Sequence, residues 1–284
     1  MSATDQARYP ALQSNRLTRA VRWLRLLAHF ITALLMVGLV FPRVSEARRA
    51  SLTGWWAQAL LRILNVVLTA RGARPEATAR NLIIASNHIS WLDIFAISAA
   101  HPARFVAKAE IRDWPVAGWL CDRAGTIFIR RARRRDTAKI NETMHAVLST
   151  GATIGFFPEG TTTNGERLLK FNTSLFESAV VNKATLVPVA LRYRADDGEL
   201  SPAIAHAGDA HFLETVAMII RERRIVADVT FAPPIAAEGA TRRDLAERAE
   251  AAVAAVLNVP RPAPHQRLVV GVNGELAWAQ NSGD

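Results

Sequence analysis

Cysteine and lysine are scarce in this chain. A single cysteine, Cys121, excludes an internal disulfide and a zinc site built on several cysteines, and reads as a small hydrophobe. Lysine occurs only at Lys108, Lys139, Lys170 and Lys183, so the net charge of +10 and the isoelectric point near 11 rest on arginine. Internal repeats and low-complexity linkers are absent. So are a zinc-ligand spacing, a helix-turn-helix signature and an aromatic platform beside the arginines, which argues against nucleic acid as the partner.

What is present is a chain of 284 residues, half of them hydrophobic. That is enough for one large domain with appendages and a substantial core, so disorder is not the default. The basic balance favours an anionic partner such as a membrane surface or a phosphate-bearing substrate. An Arg-rich, Ala-rich composition with charge on every solvated face gives the same number without any partner.

The N-terminal quarter stands apart. After Arg16, Arg19, Arg22 and Arg25, an almost unbroken apolar run extends from Leu26 to Phe41 and stops at Pro42-Arg43. Trp55 to Leu68 adds two interfacial-type tryptophans and an aliphatic stretch interrupted by Gln58, Arg62 and Asn65. A cleaved signal peptide is a poor match, because no small-residue cleavage site follows the run. A single span has basic flanks on both sides and therefore no preferred orientation. A hairpin of two helices dipping into one leaflet fits better and keeps the remaining domain on the cytoplasmic side of the inner membrane; two helices packed on a soluble core are the plain alternative. The expected divisions are a basic segment over 1–22, a membrane-associated helical hairpin over 23–72, an α/β domain over 73–258 and a tail over 259–284.

From about residue 80 short apolar runs suit buried strands: Leu82 to Ser86, Arg104 to Ala107, Thr126 to Ile129, Thr153 to Phe157, Leu186 to Leu191 and Val226 to Phe231. Helical stretches alternate with them at Trp91 to Ala100, Val116 to Arg123, Asp136 to Leu148, Phe171 to Val181, His211 to Arg223 and Arg242 to Leu257. The expected fold is therefore α/β, a mostly parallel central sheet flanked by helices, with the N-terminal helix pair attached. Ligands in such folds sit at the carboxyl ends of the strands, where two motifs begin.

The first is Asn87-His88-Ile89-Ser90-Trp91-Leu92-Asp93. A neutral imidazole is a competent base near physiological pH when a carboxylate fixes its tautomer. On one continuous helix His88 and Asp93 would not share a face, so the pair requires His88 before the helix and Asp93 in its first turn. Ser90-Trp91-Leu92-Asp93 equally resembles a helix capping box. The second motif is Phe157-Pro158-Glu159-Gly160-Thr161-Thr162-Thr163-Asn164-Gly165, a stiffened turn able to present amides and hydroxyls to a substrate, with Glu159 accepting from a donor. Between them Arg130 ends a strand and aims at the same rim, where a guanidinium offers phosphate a two-pronged grip.

The ordered set of Asn87 to Asp93, Phe105 to Lys108, Gly125 to Arg130, Phe157 to Thr161 and Val187-Pro188-Val189 resembles the glycerolipid acyltransferases typified by 1-acylglycerol-3-phosphate O-acyltransferase. The resemblance implies that His88, oriented by Asp93, takes a proton from the acceptor hydroxyl, which then attacks the thioester of acyl-CoA or acyl carrier protein. It also implies that Arg130, Glu159, Gly160 and Thr161 hold the phosphate-bearing acceptor, with Lys108 as a further phosphate or oxyanion partner. Neither a metal nor a resident cofactor is implied, and the lysolipid, the acyl donor and an anionic membrane surface are the expected partners.

The chain departs from that family at two places. Thr162 stands where arginine commonly follows Glu-Gly-Thr, and Lys170 and Asn172 stand where proline and a basic residue are common. Forms with Glu-Gly-Thr-Thr also resemble acyltransferases of other lysolipids, including lyso-ornithine lipid. A basic membrane-surface binding module without turnover and a thioester hydrolase are the readings outside lipid acylation. Trp114, Trp119 and Phe128 are read as core residues, with lining of an acyl-chain site as their other role.

Overall fold

A computed structural model describes residues 13–129, 135–204, 212–262, 266–270 and 276–280. Helix α1 (Arg16–Leu35) runs through a π turn (Met36–Val40) into a short 3-10 turn (Phe41–Arg43), and α2 spans Glu46–Ile63. The side chains of Asn15 and Ser45 cap the two helices, accepting from Thr18 N at 2.7 Å and Arg48 N at 3.4 Å. Strands and helices then follow as β1 (Val66–Gly72), β2 (Leu82–Ser86), α3 (Leu92–Ala100), β3 (Arg104–Lys108), α4 (Ala117–Arg123), β4 (Ile127–Ile129), α5 (Arg135–Ser149) and β5 (Ile154–Phe156). The chain continues through α6 (Phe176–Val181), β6 (Thr185–Ala195), α7 (Phe212–Arg221), β7 (Ile225–Phe231), β8 (Ile235–Ala236), α8 (Arg242–Leu257), β9 (Gln266–Val270) and β10 (Leu276–Gln280).

The sheet order is β1-β7-β6-β2-β5-β3-β4, with β8 beside β6. Only the β6/β7 and β6/β8 pairs are antiparallel in it. The neighbours β6, β2, β5, β3 and β4 all run the same way, so their carboxyl ends share one edge. β2 is buried along its whole length, as a continuous apolar run in a parallel sheet requires. One face packs on α2 and α3 through Leu60, Leu61, Leu64, Leu92, Ile97, Val189 and Leu191. The other packs on α5, α6 and α8 through Ile83, Phe156, Met144, Phe176, Leu186 and Val253.

Three expectations need correction. Val66 to Gly72, assigned to the helical hairpin, is an edge strand paired in parallel with β7. Asn65 makes the break, with a left-handed φ of 56° immediately after the helix. The tail beyond Val259 carries the antiparallel pair β9/β10. Among the described residues, one helical stretch alone, Arg16–Arg43, is long and apolar enough to cross a bilayer. The second helix, α2, instead buries Gly54, Ala57, Leu60 and Leu61 on the core.

Helix α1 is two-faced in an unusual way. Leu17, Val21, Leu24, Leu27, Phe30, Ile31 and Leu35 are exposed, while Arg22, His29 and Ala33 are buried. Arg22 Nη1 donates to Ile220 O at 2.8 Å and Glu222 O at 2.7 Å, closing the free carbonyls at the end of α7. His29 stacks on Trp56 of α2 at 4.2 Å; its Nε2 lies 3.1 Å from Trp56 O, and Trp56 Nε1 donates to His29 O at 3.2 Å. The apolar face continues onto α4, where the Trp119 ring lies over Gly38. Trp114 and Trp119 are 52% and 42% exposed, so neither is the core residue the sequence suggested. Phe128 is half-buried beneath the Arg112 guanidinium, 5.8 Å from its ring centre.

Candidate active site

Two strand ends build the site. As β2 finishes at Ser86, buried Asn87 fastens the exit turn to β6: its Nδ2 donates to Leu191 O at 3.1 Å and its Oδ1 accepts from Leu191 N at 2.8 Å. The next residue, His88, lies outside the helix, and α3 begins four residues later with Asp93 in its first turn. His88 Nδ1 and Asp93 Oδ2 are 2.8 Å apart, the imidazole 20% exposed and the carboxylate wholly buried. Asp93 Oδ2 also accepts from Ile89 N at 2.7 Å and Ser90 N at 3.0 Å. The dyad and the capping interaction are thus one arrangement. A carboxylate that already takes two backbone N–H groups is a pure acceptor, so Nδ1 carries the ring proton and Nε2 carries the lone pair.

The second strand end locks the same histidine from behind. β5 runs into Phe157, whose ring stacks on His88 at 4.0 Å and 9° and on Phe105 at 5.4 Å. Gly155 makes room for this, since a Cβ there would meet the Phe105 ring at 2.6 Å. Glu159, 6% exposed, accepts from His88 N at 2.7 Å through Oε1 and from Leu169 N at 2.8 Å through Oε2. Burial pushes this carboxyl up to about 8; the bonds from Leu169 and His88 pull it down, and the nearby Asp93 and Glu250 carboxylates add to the rise. Gly160 takes φ 78°, which sends the loop back past His88. Buried Thr163 then donates its N–H to His88 O at 2.8 Å and its Oγ1 to the same oxygen at 3.4 Å.

The return strand of the loop is held equally firmly. Pro158 O accepts from Asn172 N at 2.9 Å and Asn172 Nδ2 at 3.0 Å, and Phe171 N donates to buried Glu250 at 3.0 Å. His88 therefore has its ring, its N–H and its C=O each assigned to a different partner, a degree of fixation suited to a group that must act in one orientation.

Of the residues singled out in the sequence, His88, Asp93 and Glu159 converge. Glu159 gives each of its two oxygens to a backbone donor. Gly160 turns the loop, and Thr161 is exposed beyond it. Lys108 is exposed at the carboxyl end of β3, on the shared edge but in no hydrogen bond to the cluster. Arg130 lies outside the described residues. Asn87, Phe157, Thr163 and Leu169 complete the fixation without having been assigned this role; a run of three threonines does not reveal that only Thr163 is buried. Among the described residues no group of three or more His, Cys, Asp or Glu side chains could hold a metal ion.

The sequence model of the Acyltransferase family matches residues 67–192. The chain is 38% identical over 205 residues to a lyso-ornithine lipid O-acyltransferase of Pseudomonas aeruginosa, an alignment covering 72% of this chain and 78% of that protein. It is 37% identical over 199 residues to a 1-acyl-sn-glycerol-3-phosphate acyltransferase of Neisseria meningitidis, covering 70% and 77%. The crystal structure of the 1-acyl-sn-glycerophosphate acyltransferase PlsC from Thermotoga maritima superposes with a TM-score of 0.63 at 19% identity, covering 86% of this chain and 95% of that one. That likeness is one of fold.

Proposed function

The chain belongs to the acyltransferase family, and from that premise we propose that it transfers a fatty acyl group from acyl-CoA or acyl carrier protein to the free hydroxyl of 1-acyl-sn-glycerol 3-phosphate, giving phosphatidic acid. The observation that carries this reading is His88, partly open to solvent, its Nδ1 turned to a wholly buried Asp93 and its Nε2 left as the base. Nε2 accepts the proton of the acceptor hydroxyl as the oxygen attacks the thioester carbonyl. A C–O bond forms, the C–S bond breaks, and the proton passes from Nε2 to the departing thiolate. No acyl-enzyme is needed. Asp93 stabilises the imidazolium that exists between the two transfers, and a positioned base of this kind is worth about 100- to 10,000-fold in rate.

Headgroup recognition falls to the same strand edge. Lys108, the last residue of β3, and Arg130, next in sequence after β4, supply positive charge for the phosphate, with Gly160 and Thr161 on the loop after β5. Glu159 serves here by placing His88 and not by touching the acceptor. A second reading, lyso-ornithine lipid as acceptor, is favoured by Thr162, which replaces the arginine expected of a phosphate-binding loop. Relatives of both kinds are similar to this chain.

The exposed face of α1 with Trp114 and Trp119 fits the interface of the inner membrane on its cytoplasmic side, with arginines at the helix start toward anionic lipid. Arg22 and His29 argue for lying along the surface, because spanning would tear both from the α/β domain. The test is acyl transfer by detergent-purified protein from labelled acyl-CoA and acyl carrier protein to lysophosphatidic acid, lyso-ornithine lipid, glycerol 3-phosphate and no acceptor, with His88→Ala as control. Phosphatidic acid formed by the wild type alone supports the proposal. Product on lyso-ornithine lipid alone moves the acceptor, and free fatty acid as the sole product means hydrolysis.

A further inference from the structure

One oxygen of Asp93 is crowded and the other is bare. Oδ2 takes three donors, whereas Oδ1 is buried without a hydrogen-bond partner. The Tyr193 hydroxyl is likewise buried without one. Each of these orphans is costly alone, since a buried polar group normally finds a partner. They are neighbours. Tyr193 is on β6 two residues after Leu191, which pairs with Asn87 beside the dyad, and its side chain shares the core face with Leu92. Its phenol lies against the Asp93 carboxylate, and that contact, after burial itself, is what raises the phenol well above its ordinary value.

We propose that Tyr193 is a positioning residue of the acyl transfer: its hydroxyl donates to Asp93 Oδ1 and so keeps Oδ2 turned to His88 Nδ1. A hydrogen bond between the two orphans satisfies both at once. The carboxylate is then held from both ends, with Ile89 N and Ser90 N on one oxygen and Tyr193 on the other. Without the phenol, Asp93 is free to swing toward its backbone donors and away from the imidazole. Tyr193 touches neither the substrate nor the reacting atoms, and its whole effect passes through Asp93. No feature of the sequence singles it out, because a tyrosine in an apolar strand reads as core.

The proposal rests on the acyl-transfer reading for its kinetic arm and on the structure alone for its spectroscopic arm. Tyr193→Phe keeps the ring and removes one oxygen. Expected are a fall in kcat of about tenfold with KM for donor and acceptor within about twofold, together with an upfield move of the His88 Nδ1 proton resonance, identified by its loss in His88→Gln. Wild-type kcat with an unmoved resonance overturns the proposal, and so does a loss of thermal stability alone. If the wild type transfers no acyl group while the resonance moves in Tyr193→Phe, the functional reading fails and the Tyr193–Asp93 coupling stands. Should Tyr193→Phe not fold, 3-fluorotyrosine placed in a Tyr9→Phe background gives a stronger donor at Tyr193. The Nδ1 resonance then moves, and an unmoved one refutes the coupling.

Discussion

Two buried carboxyl groups reach His88, one from a helix and one from a loop, and they take hold of different parts of it. Asp93, from the first turn of α3, holds the imidazole. Glu159, from the loop after β5, holds the backbone N–H and with its second oxygen accepts from Leu169 N, ten residues on along the same loop. The first contact decides which ring nitrogen is the base; the second decides where the residue stands. The sequence pairs Asp93 with His88 but gives no hint that Glu159 holds the same residue by its backbone. The geometry assigns chemistry to one and construction to the other.

Breaking the Asp93 contact has the largest expected effect. Asp93→Asn replaces a charged pure acceptor by a neutral amide that carries a donor as well as an acceptor, so it neither stabilises the imidazolium nor dictates that Nδ1 carry the proton. Acyl transfer should fall by about 1000-fold or more with little change in KM, measured by steady-state kinetics. Glu159→Gln should come next, with a loss in kcat of about 10- to 100-fold and a lower unfolding midpoint, because one of the two backbone N–H groups now faces an amide that cannot accept. Leaving a buried donor unmet costs about 1–3 kcal/mol, readable from urea unfolding.

The same substitution sharpens the contrast through pH. The folded chain keeps a proton on Glu159 up to about 8, whereas an ordinary glutamate releases it near 4.5. The folded state therefore binds more protons across that window, and this residue's contribution to stability is lost as pH rises through it. Glu159→Gln should flatten the fall of the urea midpoint between pH 5 and 8; an equally steep fall in the variant would place the proton elsewhere. The smallest effect belongs to Thr163→Val. It removes the 3.4 Å hydroxyl contact to His88 O and the acceptor of Gly165 N at 3.2 Å but keeps the 2.8 Å backbone bond to His88, so activity should drop by no more than about threefold.

Much of the scaffold was legible. Leu82 to Ser86 and Arg242 to Leu257 match the observed β2 and α8 end for end, because four apolar residues closed by a serine and a Thr-capped periodic stretch have few other solutions. β1 was not legible, since Val66-Val67-Leu68 continues the apolar stretch of α2 and a short run of that kind fits helix and strand alike. The tail strands β9 and β10 were hidden by their proline- and glycine-rich surroundings. At the site, His88 and Asp93 stood out because a base needs an orienting acid at a strand end. Glu159 was expected to accept from some donor, but that its donors are the amides of His88 and Leu169 is a long-range backbone fact with no residue-type signature. Asn87, Thr163 and Tyr193 were hidden for the same reason.

The central claim is that Asp93 sets the ring of His88 while Glu159 sets only its backbone. The most direct measurement is the tautomer of His88, read from the imidazole nitrogen shifts of protein labelled with ¹⁵N-histidine, in the wild type, Asp93→Asn and Glu159→Gln. The account predicts the Nδ1–H form in the wild type and in Glu159→Gln, and loss of that preference in Asp93→Asn. An Nε2–H form in the wild type, or an unchanged tautomer in Asp93→Asn, would contradict it.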